Sequence, residues 1–185
     1  MHCLGHCLYY WSILFHFKIV LHKNCTTLTR VYLQTVQIVS YLEHLSRVEK
    51  ILGPFLVVVP LSTVEHWRRE FEGWTDMVCC VYHDRQRQWR DVLREYEWYY
   101  EDKPRNAEFL KFQVLVTTYD TLIGDFDIIG QIPFRVAVVD EAHRLRNQKG
   151  KLLECMKEIS AKGTLQHDYQ SRVLMSGMRF YRCSL

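Results

Sequence analysis

No run of apolar residues in this sequence reaches the ~20 residues that a membrane-spanning helix needs. The nearest, residues 7–21, gathers Tyr9, Tyr10, Trp11, Phe15 and Phe17 but is broken by His16 and Lys18. No Lys or Arg precedes it, so the positively charged start of a secretory signal is missing. A membrane partner is therefore not favoured. Charge of one sign is also scarce: 24 Lys and Arg against 21 Asp and Glu leave a formal +3. That balance permits contact with nucleic acid without demanding it. The seven Cys are an odd number with no obvious pairing, and His2-Cys3 with His6-Cys7 matches no standard zinc spacing. Cys79 and Cys80 fall inside the apolar run 78–82, which predicts buried free thiols and a reducing compartment. Internal repeats and low-complexity tracts are missing too, which argues against repeat arrays and disordered linkers.

What remains is the composition of one globular domain. The 185 residues are 48% hydrophobic and 24% charged, enough to bury a sizeable core. Strand and helix signals alternate along the chain. Residues 35–48 place Val36, Val39, Leu42 and Leu45 at spacings of three, a helical face. Residues 55–59 read as a buried strand ended by Pro60, and 63–71 as a short helix with Val64, Trp67 and Phe71 on one side. A strand follows at 78–82. Residues 85–100 predict a long helix whose inward stripe is Trp89, Leu93, Tyr96 and Tyr100, a core stripe rather than a base-stacking surface. A loop spans 101–108, with Pro104 and Asn106 as breakers. Strands at 112–117 and 134–139, a helix at 151–160 and a strand at 173–175 complete the pattern. Such alternation implies an α/β fold with a parallel sheet and right-handed crossovers.

The most informative stretch is Asp140-Glu141-Ala142-His143. It follows Val136-Ala137-Val138-Val139, a run suited to a strand buried on both faces. Two acidic residues then leave the strand at its carboxyl end, where open α/β sheets bind ligands. An Asp in that position suits a hydrated Mg²⁺, and a Glu beside it suits orienting an attacking water.

Longer strings surround the acidic pair. GPFLVVVPLSTVEHWRREF occupies 53–71, VLVTTY 114–119, and VVDEAHRLRN 138–147. In this order they resemble the first lobe of SWI/SNF-type helicase-like ATPases, and among those the chromodomain-helicase-DNA-binding remodelers. The resemblance covers about 35–177 and implies a three-layer RecA-like lobe with a parallel sheet, incomplete at both ends. It implies ATP-driven chromatin remodeling, with ATP and Mg²⁺ as cofactors, DNA and nucleosomes or histones as partners, and the nucleus as location. By the same resemblance Asp140 helps hold Mg²⁺ and Glu141 positions the water. Thr35 and Gln37 match the family's helix on the nucleotide side, Thr35 as a metal-side hydroxyl. His143 couples the nucleotide site to the motif near Ser176. Ser62 and Thr63, and Thr117 and Thr118, are implied DNA-backbone contacts. Read without the resemblance, Ser62 or Thr63 is simply a helix cap.

Two departures qualify these expectations. Where the family carries a glycine-rich phosphate loop ending in Gly-Lys-Thr, this chain reads Val31-Tyr32-Leu33-Gln34 before Thr35. Val, Tyr and Leu do not supply the turns and close backbone approach that Gly allows, and Gln34 is neutral. Past Arg172-Val173-Leu174-Met175-Ser176-Gly177, the family's continuation gives way to Met178-Arg179-Phe180-Tyr181. The expected organisation is an unrelated apolar segment at 1–34, a partial ATP-binding lobe at 35–177 and a divergent tail at 178–185. A chain of that kind is expected to be an inactive fragment. The rival expectation is a non-catalytic fragment that interacts with DNA or nucleosomes.

Overall fold

The structure, a computed structural model, describes residues 27–104, 109–141, 149–166 and 172–175. Expectations for the apolar segment 7–21, for His143 and for the tail 178–185 lie outside the described residues.

Helix α1 (Thr27–Arg47) starts eight residues before the expected Thr35. It buries Val39, Leu42 and Leu45, three of the four residues of the predicted stripe, while Val36 is half-buried. Strand β1 (Phe55–Val59) is buried at all five positions. A single 3-10 turn (Leu61–Thr63) leads into helix α2 (Val64–Trp74), which buries Val64, Trp67 and Phe71 as its spacing predicts. Next come β2 (Cys79–Tyr82), α3 (Arg87–Glu97) and β3 (Val114–Thr118). Two short helices, α4 (Tyr119–Gly124) and α5 (Phe126–Ile129), precede β4 (Val136–Val139). Helix α6 (Lys149–Gln166) and strand β5 (Arg172–Met175) complete the described elements.

All five strands run parallel in the order β2-β3-β1-β4-β5. Alternate side chains of a strand face opposite sides of the sheet. Phe55, Val57 and Val59 pack with Val136 and Val138 under α1 and α2. Leu56 and Val58 pack with Ala137 and Val139 on the other face, with Leu122 of α4 and Met156 of α6. The result is the three-layer α/β architecture read from the sequence.

Helix α3 corrects one expectation. It is shorter than residues 85–100, and none of its residues is fully buried. Trp89, Tyr96 and Tyr100 of the predicted inward stripe are 57%, 62% and 48% exposed, and only Leu93 packs against the core. The cause is an ion pair. Arg90 donates to Asp125 through Nε (2.7 Å) and Nη2 (3.1 Å), and to the Asp84 carbonyl through Nη1 (2.7 Å). Those bonds turn the face of Arg90, Leu93 and Arg94 inward, one residue's rotation from the aromatic stripe. Trp98, on that same face just beyond the helix, is fully buried, with its ring centroid 4.8 Å from that of Tyr82.

Candidate functional site

Strand register gathers the polar residues at one edge. Val58 pairs with both Thr117 and Val139, and Tyr82 pairs with Thr117. Asp140, Ser62 and Thr117 therefore leave the sheet at its carboxyl edge, as parallel pairing requires.

Asp140 is 4% exposed and held at three points. Its N–H donates to the Val58 carbonyl at 2.9 Å. Its Oδ2 accepts from the Trp67 indole Nε1–H at 3.1 Å. Its own carbonyl accepts from the Tyr119 hydroxyl. Glu141 then takes the left-handed conformation at φ +48° and turns the chain off the strand. That conformation costs a non-glycine residue about 1–2 kcal/mol, so the fixed Asp140 before it helps maintain the turn.

Thr35 is 1% exposed on α1. Helix α1 joins parallel β1 through the short connection 48–54, so it runs back against the strands. Thr35 consequently lies nearer the carboxyl edge than Val39, Leu42 and Leu45. Asp140 continues the alternation of Val136 and Val138, so it faces the α1 side of the sheet, as Thr35 does. Gln37 is half-buried and sits roughly 200° around the helix from Thr35, so it does not share that face.

The four residues implied as DNA contacts differ in accessibility. Thr117 is fully buried, and its hydroxyl donates to the Tyr82 carbonyl at 2.8 Å. Thr118 is 3% exposed and caps α4 by accepting from the Thr121 N–H. Its hydroxyl also meets Thr121 Oγ1 (2.9 Å) and His83 Nδ1 (3.1 Å). Thr63 is half-buried, and its hydroxyl donates to the Pro60 carbonyl at 2.9 Å rather than capping α2. Ser62 alone of the four is exposed.

Three contributors went unseen in the sequence. His83 joins the Thr118–Thr121 hydroxyls, and burial holds its imidazole below the ordinary value. Its place directly after a predicted strand was the only signal. The Arg90–Asp125 pair and the Trp67–Asp140 bond join residues 35 and 73 positions apart, a separation that leaves no local pattern.

A bound metal and nucleotide would make particular demands on these residues. Among the described residues, no group of three or more His, Cys, Asp and Glu is placed to hold a metal ion. Asp140 offers one carboxylate with an oxygen already engaged, and Thr35 one hydroxyl. Mg²⁺ prefers six oxygens, most of them from water and phosphate. Phosphates need a cradle of free N–H groups. Residues 31–34 are instead interior to α1, where N–H groups are directed at carbonyls four residues back. The described residues do not by themselves fit a self-contained Mg²⁺–nucleotide site. Among the described residues, no helix is long and apolar enough to cross a membrane.

Comparison with known proteins agrees with the α/β fold. A family profile described as "SNF2-related domain" matches residues 33–172. Chromodomain-helicase-DNA-binding protein 6 of Rattus norvegicus is 37% identical over 158 residues, covering 84% of this chain and 6% of that protein. Chromodomain-helicase-DNA-binding protein 8 of Homo sapiens is 35% identical over the same shares. Protein 7 of Gallus gallus is 36% identical, covering 84% and 5%. The chain thus spans about 6% of the length of such relatives. Among solved structures, the Sulfolobus solfataricus SWI2/SNF2 ATPase core in complex with dsDNA superposes with a TM-score of 0.51. That match is 22% identical and covers 80% of this chain and 25% of that one. At that identity the likeness shows the fold.

Proposed function

Because the chain belongs to the SNF2-related domain family of chromatin-remodeling ATPases, we propose that it is a duplex-DNA-binding lobe of that type that does not hydrolyse ATP. The observation that carries the reading is the split between two sites on one sheet edge. The nucleic-acid side keeps an exposed Ser62 on the turn into α2. The nucleotide side keeps Asp140 and Glu141 but has helix where phosphates need open amides. Phosphoryl transfer rests on positioning and charge neutralisation more than on one acid or base. An acidic pair without a phosphate cradle supplies neither, so in this reading the described residues do not carry ATP through hydrolysis.

In this reading Ser62 and the first turn of α2 meet the DNA backbone. Thr117 and Thr118 brace that edge from beneath through their internal hydrogen bonds. Nucleosomal DNA is the natural partner and the nucleus the place of action. The test is fluorescence anisotropy with a labelled DNA duplex and the full chain. Binding that weakens as salt rises, and weakens further in Ser62→Asp, is expected, because a phosphate contact is replaced by repulsion. Binding that Ser62→Asp leaves unchanged, or no binding at low salt, overturns the proposal.

A further inference from the structure

We infer that Trp67 is a positioning residue that ties the DNA-facing turn to the Asp140 carboxylate, so that a duplex engaged at Ser62 is felt at the acidic pair. Two independent bonds to one residue carry this. The Asp140 N–H is bonded to the Val58 carbonyl at the end of β1, and the Asp140 carboxylate to the Trp67 indole in α2. Residues 58–67 thereby form a closed ring through Asp140, and Ser62 sits at its exposed crest.

The ring has little slack. Val58 is fully buried in the sheet, and Trp67 is 1% exposed in a core that includes Phe71, 6.2 Å away between ring centroids. Thr63 and Trp67 are one helical turn apart, so they move together. Inside the ring the Thr63 hydroxyl is bonded to the Pro60 carbonyl, which stiffens the crest. A load on Ser62 or Thr63 therefore strains the Trp67–Asp140 bond or shifts both partners. The next residue, Glu141, is held in the left-handed region, so a shift of Asp140 alters the aim of Glu141 as well. The path from Ser62 to Glu141 is contiguous through these bonds, and the shift experiment below tests whether it carries coupling. It rests on the proposed nucleic-acid contact at Ser62.

The experiment is a ¹⁵N–¹H correlation spectrum of the full chain. The Trp67 indole signal is assigned by its loss in Trp67→Phe. Asp140→Asn, which keeps the shape and weakens the acceptor, is expected to move that signal upfield while the other indole signals stay in place. Adding a DNA duplex is expected to shift the backbone amides of residues 62–64, the Trp67 indole and the Glu141 amide together. In Trp67→Phe the duplex still shifts residues 62–64, but the response at Glu141 is lost. An indole signal indifferent to Asp140→Asn overturns the bond as the link. Duplex-induced shifts at 62–64 with the indole and Glu141 unmoved overturn the coupling and leave the DNA reading standing. No shift at 62–64 overturns both.

Discussion

Arg90 grips Asp125 with two arms of its guanidinium, Nε at 2.7 Å from Oδ2 and Nη2 at 3.1 Å from Oδ1. The Tyr82 hydroxyl adds a third donor at 3.0 Å. With side chains 13% and 2% exposed, this is the contact that mounts α3 on the sheet. Its bonds fix the rotation of α3, so its loss is read as a change in stability.

Replacing Asp125 with Ala is expected to destabilise the fold by about 3 kcal/mol at pH 7, because it leaves a largely buried guanidinium without its partner. The pH dependence has a definite sign. Burial works to raise the Asp125 carboxyl, but hydrogen bonds from Arg90 and Tyr82 outweigh it and hold the group below the usual carboxylate range. A depressed folded value gives stability that is complete above the unfolded value of about 3.9 and is lost as pH falls through the folded value. Urea midpoints at pH 7 and at pH 3 are the check: below the unfolded value the wild type begins to lose this contribution, and Asp125→Ala has none to lose.

The aromatic residues of the α3 region separate into two classes that the sequence did not distinguish. Trp89→Ala is expected to change stability by no more than about 0.5 kcal/mol, as at an ordinary surface position. Trp98→Ala is expected to cost about 3–5 kcal/mol, because it empties a fully buried site. Chemical denaturation of the two variants measures the difference. Equal effects would mean that the predicted inward stripe was right after all.

That contrast shows what a single sequence reveals. The parallel sheet was legible because 55–59 and 136–139 are short apolar runs that only a doubly covered strand accommodates. Helix α2 was legible because Val64, Trp67 and Phe71 repeat at helical spacing. Helix α3 misled because its aromatics repeat at that spacing too, while its rotation is set by Asp125, 35 residues beyond Arg90. At the site, Asp140 and Ser62 announced themselves by following strands. Their connection did not, because the Trp67–Asp140 bond is a product of β1 and β4 lying side by side. The lack of glycine at 31–34 was visible. That those residues continue a helix was not, since the predicted helix began at Thr35.

Gly53 has φ +97°, and a Cβ placed on it meets the Gln113 carbonyl oxygen at 2.8 Å. Gly53→Ala is expected to cost about 2 kcal/mol or more, from the backbone conformation and the clash together. A thermal melt measures it; an unchanged midpoint would mean that the turn before β1 relaxes freely.

Burial pushes the thiols of Cys79 and Cys80 up to about 12. Since thiolate is the reactive form, both are expected to resist alkylation by iodoacetamide at pH 8 in the folded chain and to react fully in urea. Peptide mapping by mass spectrometry reads the two states. Rapid native-state labelling of Cys80, the more buried of the pair, would contradict its place in the core.

The most direct measurement is ATP turnover by the purified chain with and without duplex DNA, against a Glu141→Gln control from the same preparation. The wild type is expected to match the control at every DNA concentration. Gln34→Lys is expected to restore nothing, because its position is interior to a helix whose amides are directed at their own carbonyls. DNA-stimulated hydrolysis above the Glu141→Gln control would contradict the central conclusion and require an open phosphate site at residues 31–34.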